Sequence, residues 1–350
     1  MFNSLQCQMV IKTQIQKLET EQESEINGFL YTHPNNTIFQ SPAFYTLYLS
    51  TKNYTPYYFL LYDSGVLAGL MLAVVITEGN GIISRHISRC VIQGGPIVLN
   101  DNIAFIDALL RTLNTTLGKR TLITQFRNYR KWEQNAVEIF SANGFVFHDH
   151  LNLILTQHSR EATLSGLSAS RRRQLKKGLE SGAILRQAAS MHEVRAFYGL
   201  LNDLYHRRVK KPLPGLHFFE QFYTQFVLTG KGIIMLVVFE NKIIGGIVSP
   251  ITPGHTIYEF YICGLDKEYP KQYPSVLATW AAMEWATEHQ IPAFDFMGLG
   301  KPDVPYGVRD FKLRFGGEQV NYGRFGRRNY KLVYSIAETG YNLIRSLKRR

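Results

Sequence analysis

The feature that most constrains the fold of this 350-residue chain is a pattern that occurs twice, half a chain apart. Residues 61–70 read LYDSGVLAGL and residues 238–247 read VFENKIIGGI, at a constant offset of 177 residues. In both copies two apolar runs flank turn residues, which is typical of a β-hairpin. Hairpins also resemble one another by chance. The matching depth of the two copies in the two halves favours duplication of one α/β fold.

Further strands and helices are predicted around each hairpin. Apolar periodicity predicts helices at 103–117, 131–142 and 273–289, and strands at 121–126, 145–156 and 257–263. This alternation predicts an α/β (α+β) fold of two tandem domains, each a mixed sheet flanked by helices. We place the domains at 1–157 and 158–330, followed by a basic C-terminal helix at 331–350.

Composition indicates a globular protein. Hydrophobic residues make up 45% and charged residues 19% of the chain. Three scattered cysteines favour a reducing compartment over a disulfide scaffold. The first residues lack the pattern of a signal peptide, and no apolar segment approaches the roughly 20 residues that span a bilayer. We therefore expect a cytoplasmic protein, with peripheral contact at the inner face of the membrane through its basic C-terminus as an open alternative.

Positive charge is concentrated in two places. The formal net charge is +12, and residues 309–350 hold eleven Lys or Arg against three acidic residues. A second basic run covers residues 171–177. Such patches suit polyanions, namely nucleic acid, anionic lipid or a phosphate-bearing substrate. Solvated helix faces that serve solubility remain the alternative.

Residues 294–325 combine a strand end, a glycine loop and several cations. Asp295 ends a short apolar strand, glycines and prolines follow, and Phe311 and Lys312 stand between Arg309 and Arg314. Cations around an open backbone turn suit a phosphate or a developing oxyanion. A basic surface loop between two strands is the alternative interpretation.

These motifs together resemble the Fem family of non-ribosomal peptidyl transferases (FemABX-like), which have tandem GNAT-like acyltransferase folds. The resemblance covers nearly the whole chain. Residues 39–42 (FQSP) look like the family's opening helix, and residues 171–182 look like its arginine-rich start of the second half. Residues 295–298 look like its D-x-x-G strand end, and residues 311–317 look like its FK-x-x-FGG signature. The last motif is the most specific of the four.

The resemblance implies an acyltransferase that moves an amino acid from aminoacyl-tRNA to an amine of a cell-envelope acceptor. The acceptor would be a nucleotide- or lipid-linked precursor of peptidoglycan or polysaccharide, and no cofactor would be needed. Phe311 and Lys312 would hold the acceptor end of the tRNA, and Lys312 would stabilise the oxyanion. The resemblance assigns donor phosphates to Arg171, Arg172 and Lys176.

Other residues are candidates for binding substrate. The resemblance suggests that Arg207 or Arg208 holds a diphosphate of the acceptor. Tyr258 and Tyr261 could hydrogen-bond substrate, with core packing as the alternative. Arg309 and Arg314 belong to the basic group around Lys312.

Asp295 and the histidines admit more than one interpretation. Asp295 could be the general base for the attacking amine, or it could cap the loop that follows it. His148 and His150 would share one face of a strand, but no third metal ligand is evident. No metal site is therefore predicted.

The chain also departs from the family pattern. Phe44 and Tyr48 stand where a tryptophan and a lysine are expected in the first helix, which puts a peptidoglycan precursor in doubt as the acceptor. The loop at 267–274 has two prolines and no glycine, so it offers few N–H groups to the diphosphate of acetyl-CoA. Two alternatives stay open: an acyl-CoA-dependent N-acetyltransferase that acts on an envelope sugar, and a non-catalytic RNA- or membrane-associated binding protein.

Overall fold

The computed structural model of the chain describes residues 9–14, 17–77, 88–156, 159–209 and 212–330. The chain divides into two compact units, of which the first contains residues 1–149 and 322–350 and the second contains residues 150–321.

The elements before residue 150 alternate between strands and helices. They are β1 (Met9–Gln14), α1 (Thr20–Thr32), α2 (Pro42–Leu49), β2 (Tyr54–Asp63), β3 (Val66–Thr77), β4 (Ser88–Gln93), β5 (Ile97–Val98), α3 (Ile103–Leu117), β6 (Ile123–Arg127), α4 (Gln134–Ala142) and β7 (Val146–His148).

The elements from residue 150 onward repeat this alternation. They are β8 (Leu151–Thr156), α5 (Arg160–Gly166), α6 (Ala169–Glu180), β9 (Ile184–Gln187), α7 (Met191–Leu204), α8 (Leu216–Phe222), β10 (Gly232–Phe239), β11 (Lys242–Thr252), β12 (Thr256–Tyr258), β13 (Tyr261–Gly264), α9 (Pro274–Glu288), β14 (Ala293–Asp295), α10 (Gly307–Leu313), β15 (Glu318–Asn321) and β16 (Arg324–Arg328).

The first unit has one mixed sheet with the strand order β1-β2-β3-β4-β6-β16-β7, in which β5 also pairs with β3. All described pairs are antiparallel except β4 with β6. Helices α3 and α4 bury their apolar residues in one core with one face of this sheet. In that core the rings of Phe140 and Phe325 stack with their centroids 4.1 Å apart. Burial of such aromatic side chains is the main source of stability for the unit.

The second unit has the same plan, with the strand order β9-β10-β11-β12-β14-β8-β15 and β13 paired with β11. Helix α9 lies at the centre of the core, where ten of its fifteen residues are buried. Its Trp280 is fully buried among residues of the sheet. Two mixed sheets flanked by helices confirm the predicted fold class.

Strands β8 and β16 each belong to a different sheet from the strand that precedes them in the chain. Strand β8 follows β7 in the chain but pairs with β14 and β15 in the second sheet. Strand β16 follows β15 but pairs with β6 and β7 in the first sheet. The predicted boundaries at 157/158 and at 330 therefore differ from the observed units. The predicted strand 145–156 breaks near Asp149, and its two parts enter different sheets.

The two hairpins correspond with an offset of 176 residues, one fewer than the letter pattern suggests. A β-bulge follows Leu61 opposite Gly69 in the first hairpin and follows Val237 opposite Gly245 in the second. The turn residues with positive φ are Ser64 and Gly65 in the first copy and Glu240 and Asn241 in the second. The letter alignment was wrong by one residue, which in a strand moves each side chain to the other face of the sheet.

Among the described residues, no helix is both long and apolar enough to cross a membrane. The predicted C-terminal helix at 331–350 lies outside the described residues.

Candidate functional site

Two parallel strands of the second sheet separate at one point and leave a gap between them. Strands β12 and β14 pair as far as Tyr258 and Asp295, and the Glu259 N–H donates to the Asp295 carbonyl oxygen over 2.9 Å. After Glu259 the chain continues into β13. Strand β13 pairs with β11, which lies on the side of β12 away from β14. We call the gap between β13 and the segment that follows β14 the fork.

Lys312 reaches into the fork from α10. Its Nζ lies 2.9 Å from Glu259 Oε1, donates to the Phe296 carbonyl oxygen and stands 3.5 Å from the Gly298 carbonyl oxygen. The Lys312 side chain is only 10% exposed. Lys312 thus links the strand side of the fork to the loop after β14. Its contact with Gly298 is at the limit of a hydrogen bond, so one N–H group is weakly used.

Glu259 is the residue of this site that the sequence analysis missed. Its side chain is 2% exposed, and its second oxygen accepts from Thr279 Oγ1 over 3.3 Å. A buried carboxylate is costly unless it is paired, and Lys312 supplies the counter-charge. One signal could have identified it, because Glu259 is the one acidic residue in the otherwise apolar and aromatic run 257–263.

Asp295 is buried beside this ion pair and holds the loop that follows it. One carboxylate oxygen accepts from the Met297 N–H over 2.6 Å, and both oxygens contact Asn152 Nδ2, at 2.9 and 3.1 Å. Burial raises the pKa of Asp295 to about 6, against the lowering effect of these hydrogen bonds. Because the side chain is 2% exposed and fully engaged, the structure favours the loop-cap interpretation over the general base.

The Arg309 side chain binds the same loop through hydrogen bonds to backbone carbonyl oxygens of that loop. Its guanidinium donates to the carbonyl oxygens of Leu299 at 3.0 Å, Pro302 at 2.9 Å and Val304 at 3.2 Å, and also to that of Lys301. The prediction that Arg309 binds substrate phosphate is therefore not supported, since its donors serve the loop. The basic sequence pattern could not reveal this, because the acceptors are backbone carbonyls.

Arg171 is a buried clamp and not an exposed phosphate ligand. It is 2% exposed, and its guanidinium lies 4.4 Å from the ring centroids of both Phe311 and Phe315. It donates to the Phe311 carbonyl oxygen over 2.7 Å and to Gln174 Oε1 over 2.8 Å. Burial, with Arg314 nearby, lowers the pKa of Arg171 to about 10. Phe311 likewise packs against the core, so both residues position α10 and with it Lys312.

The remaining predicted cations of this region lie on the surface. Arg172 donates to the carbonyl oxygens of Ser165 and Leu167, and Lys176 stands 3.7 Å from Glu180. The Arg314 side chain is exposed. The backbone carbonyl oxygen of Arg314 accepts a hydrogen bond from the N–H of Ser168, the residue that precedes α6. We call the exposed cations here the α6 basic surface: Arg172, Arg173, Lys176, Lys177 and Arg314.

The other predicted substrate residues have mixed outcomes. Arg207 is 79% exposed and pairs with Asp203 at 3.6 Å, while the side chain of Arg208 lies outside the described part of the chain. Tyr258 is buried with its hydroxyl 3.3 Å from Thr252 Oγ1, so the core-packing interpretation applies to it. Tyr261 is half-buried and contacts Phe219 edge-on.

The beginning of helix α9 is occupied by a side chain of the protein itself. Asp266 accepts from the Ser275 N–H over 3.1 Å and also from the Ser275 hydroxyl. The helix begins with Pro274, which has no N–H. Helix α6 closes on the loop before it, since a Cβ atom on Gly178 would lie 2.6 Å from the Gln272 carbonyl oxygen. A helix N-terminus that could bind an external anion is thus already neutralised.

The corresponding gap in the first unit is filled. The Gly94 N–H bonds to the Arg127 carbonyl oxygen over 2.9 Å, in the same way as Glu259 to Asp295. The fully buried Gln40 side chain then donates to the Gln93 carbonyl oxygen at 2.8 Å and accepts from the Leu72 N–H at 2.7 Å. The side-chain amide of Gln40 therefore closes the gap in the first unit. We place the candidate site in the second unit, where the gap holds Lys312.

His148 and His150 do not share a strand face. His148 ends β7 in the first unit, whereas His150 belongs to the second unit and contacts the Leu151 carbonyl oxygen at 3.2 Å. Across the described ranges, no group of three or more His, Cys, Asp or Glu side chains is placed to hold a metal ion.

Part of the second half is similar to a known protein family. Residues 167–313 match the family described as an acetyltransferase (GNAT) domain. These residues include α6, the fork, Asp266 and Lys312. A search of curated proteins found no match.

Solved structures share the fold over nearly the whole chain. FemX matches with a TM-score of 0.69 and 14% identity, covering 93% of this chain and 99% of its own. L-PGS from Bacillus licheniformis matches with a TM-score of 0.58 and 16% identity, covering 92% and 96%. A tandem GNAT protein from the clavulanic acid biosynthesis pathway matches with a TM-score of 0.57 and 9% identity, covering 92% and 99%. The chain thus has a tandem GNAT fold of the Fem type.

Proposed function

We propose that this chain, a GNAT-type acyltransferase with a Fem-type tandem fold, transfers an amino acid from aminoacyl-tRNA to an amine of a cell-envelope precursor. The observation that carries the choice of donor is the contact of Asp266 with the start of α9. An acyl-CoA donor needs a site for its diphosphate, and free N–H groups at a helix N-terminus are the usual solution. Here that end already holds a carboxylate, which also repels a second anion.

The fork supports the same choice of donor. Lys312 bonds to Glu259 on one side of the fork and to Phe296 on the other, so it lies across the opening between the strands. A long, flexible thioester arm would have to displace this buried ion pair to enter. An ester presented at the end of an RNA needs only to approach the mouth of the fork.

Positive charge near the site fits an RNA donor. The α6 basic surface has Arg173, Lys177 and Arg314 exposed beside the segment that carries Lys312. Phosphates of a nucleic acid bind such cations with release of counter-ions. The fold shared with FemX and L-PGS is consistent with aminoacyl transfer.

The reaction requires little covalent chemistry from the protein. The acceptor amine attacks the carbonyl carbon of the aminoacyl ester, the new amide bond forms, and the C–O bond to the ribose breaks. The ribose hydroxyl leaves with the proton that the amine loses. Lys312 stabilises the oxyanion through its weakly used N–H group, and Glu259 keeps the ammonium in place. No cofactor takes part, and the exposed Arg207 is available to a phosphate of the acceptor.

A transfer assay tests this function. The Lys312→Ala variant should lose at least about a hundredfold in rate of transfer from charged tRNA, as expected for loss of an oxyanion donor. Lys301→Ala removes an exposed lysine from the neighbouring loop and is the matched control, with transfer unchanged. Full activity of Lys312→Ala, with its fold intact by circular dichroism, would refute the assignment.

An acyl-CoA-dependent N-acetyltransferase that acts on an envelope sugar is the second candidate. The match of residues 167–313 to the acetyltransferase (GNAT) domain favours it. The same assay with acetyl-CoA in place of charged tRNA separates the two, because only one donor should yield a modified acceptor. A non-catalytic RNA- or membrane-associated binding protein would modify the acceptor with neither donor.

A further inference from the structure

A small pocket in the second unit lies between helix α7 and the end of strand β13, and we call it the α7 pocket. Leu200 and Leu204, one turn apart on α7, form one wall, and Cys263 with the following Leu265 forms the other. The volume of the pocket is about 90 Å³. Because a dry cavity of about 150 Å³ takes a benzene ring, the α7 pocket has room for a chain of a few methylene groups but not for a purine base.

Carboxylates stand on both sides of the rim of this pocket. Asp203 belongs to α7 and Glu268 to the loop that follows β13, and both side chains are exposed. Arg207 also lines the pocket and stands 3.6 Å from Asp203. The lining thus has two negative charges against one positive charge, in a chain whose formal net charge is +12. The α7 pocket is therefore an acidic place in a basic protein.

An aliphatic chain that ends in an ammonium group matches both properties of the pocket. The apolar walls would contact the methylene stem, and the carboxylates of the rim would bind the charged end at the surface. A net negative charge repels an anion, and an uncharged chain would leave the carboxylates unused. The exposed pair of Arg207 and Asp203 is worth little, so an ammonium group can replace Arg207 at Asp203 at small cost.

The α7 pocket and the fork share strand β13 as a wall. Glu259, which binds Lys312, precedes Cys263 by four residues, so their Cα atoms are at most about 14 Å apart. The side chain of a bound lysine and that of a carboxylate on the rim together cover such a distance. The pocket is therefore within reach of a substrate whose reacting carbon lies at Lys312.

The end of α7 brings the pocket to the fork. Tyr205 directly follows Leu204 of the pocket wall, and its ring centroid lies 6.3 Å from that of Tyr261 on β13. Burial raises the pKa of Tyr205 to about 12, and Tyr306, from the segment on the far side of the fork, is close enough to add to this rise. One residue after the pocket wall, the chain is thus near both sides of the fork.

We infer that the α7 pocket binds the side chain of the amino acid that is transferred, and that this side chain is aliphatic and positively charged, as in lysine. The inference rests on the proposed function and names the class of amino acid on the donor. With the ester at Lys312, a side chain of this length extends along β13 to the carboxylates of the rim. The methyl group of alanine ends far short of them.

The binding of one tRNA body charged with three different amino acids tests this inference. Lysine has the stem and the charge, norleucine has the stem alone, and alanine has neither. At fixed salt the protein should bind the lysyl form about fivefold more tightly than the norleucyl form, as expected for an exposed ion pair. It should bind the norleucyl form at least about tenfold more tightly than the alanyl form, because the stem becomes buried.

Two variants separate the charge of the rim from the apolar wall. Asp203→Asn with Glu268→Gln should abolish the preference for lysine over norleucine and keep the preference for norleucine over alanine. Leu200→Phe narrows the pocket and should reduce the affinities for the lysyl and norleucyl forms to that for the alanyl form. Glu240→Gln with Glu288→Gln removes two exposed acids elsewhere in the second unit and is the matched control, with all preferences retained.

The outcomes separate this inference from the function on which it rests. Equal affinities for the three charged forms, each tighter than for deacylated tRNA, would overturn the inference and leave the proposed function standing. A preference for lysine that survives the loss of both carboxylates would also overturn it. Equal weakening of charged and deacylated tRNA in the pocket variants would assign the pocket to the RNA instead. A parent protein that binds no charged form better than deacylated tRNA would overturn both.

Discussion

Lys312 and Glu259 are both withdrawn from water, and each neutralises the other. The net value of such a pair is small, because desolvation offsets most of the attraction. Loss of one partner is costly, because the other charge is left buried and unpaired. The pair therefore acts less as a source of stability than as a device that fixes the ammonium at the fork.

A double-mutant cycle tests this coupling. Glu259→Gln and Lys312→Met should each lower the free energy of unfolding by about 3 kcal/mol, because each leaves an uncompensated buried charge. The double variant should lose less than the sum by more than about 1 kcal/mol. Urea denaturation measures all four proteins. The surface pair Arg160–Glu284 is the control, with a coupling of at most about 1 kcal/mol. Additive losses at Glu259 and Lys312 would contradict the account.

Asp295 makes stability depend on pH in a predictable direction. Burial raises the pKa of Asp295 in the folded protein to about 6, above the ordinary value of about 3.8 for an aspartate. The folded state thus holds this proton at pH values where the unfolded state has released it. The contribution of Asp295 is fully present below about pH 4 and is lost as the pH rises through about 6, with a total change of about 3 kcal/mol.

The Asp295→Asn variant should remove this dependence. The Oδ1 of an asparagine keeps an acceptor for the Met297 N–H and for Asn152 Nδ2, whereas its Nδ2 replaces the oxygen 3.1 Å from Asn152 Nδ2 and loses that hydrogen bond. The variant buries no charge, which outweighs the lost hydrogen bond at pH values where Asp295 is ionised. We expect the variant to be at least as stable as the parent at pH 7.5, with a smaller decline in stability between pH 4.5 and 7. Denaturation midpoints over this pH range measure it. A parallel decline in both proteins would show that Asp295 is not the group responsible.

Among the elements, helix α9 has a carboxylate, that of Asp266, bound at its first turn. Asp266 satisfies an N–H group that the helix itself leaves unpaired. The same contact occupies the position that a ligand anion would need. Asp266 is an exposed acid eight residues before the first residue of the helix, which is far from the usual cap position, so the sequence alone did not identify it.

The Asp266→Ala variant should be less stable by about 1 kcal/mol, the usual cost of losing a helix cap. Asp303→Ala, which removes an exposed acid from the loop after β14, is the control and should change stability by less than about 0.5 kcal/mol. Chemical denaturation distinguishes the two. Equal stability of both variants would mean that Asp266 does not hold the start of α9.

Helix α10 illustrates what a sequence motif can and cannot reveal. The motif at 311–317 singled out Lys312, which the structure shows to be 10% exposed and paired with Glu259. Its role in catalysis stays a prediction. The basic residues around it looked alike in sequence but have different environments. Arg171 lies between two rings and Arg309 binds loop carbonyls, whereas Arg314 is exposed. Burial depends on contacts between distant segments, which a run of like charges does not encode.

For the whole molecule, the repeated hairpin correctly predicted two similar halves. It could not predict that β8 and β16 each enter a different sheet from the preceding strand. Strand pairing over such distances follows from tertiary packing and not from local pattern. Glu259 was missed for the same reason, since its partner Lys312 lies 53 residues further along the chain. The sequence thus indicated the architecture and singled out Lys312, whose catalytic role stays a prediction, but it did not indicate the counter-charge Glu259 or the bounds of the two units.

In the function proposed above, the fork receives the aminoacyl ester at the end of an RNA. Its most direct test is a parallel titration of the purified protein, at one salt concentration, with charged tRNA, deacylated tRNA and acetyl-CoA. We predict tighter binding of charged than of deacylated tRNA and no binding of acetyl-CoA. Tight binding of acetyl-CoA, with equal and salt-sensitive binding of the two tRNAs, would contradict it.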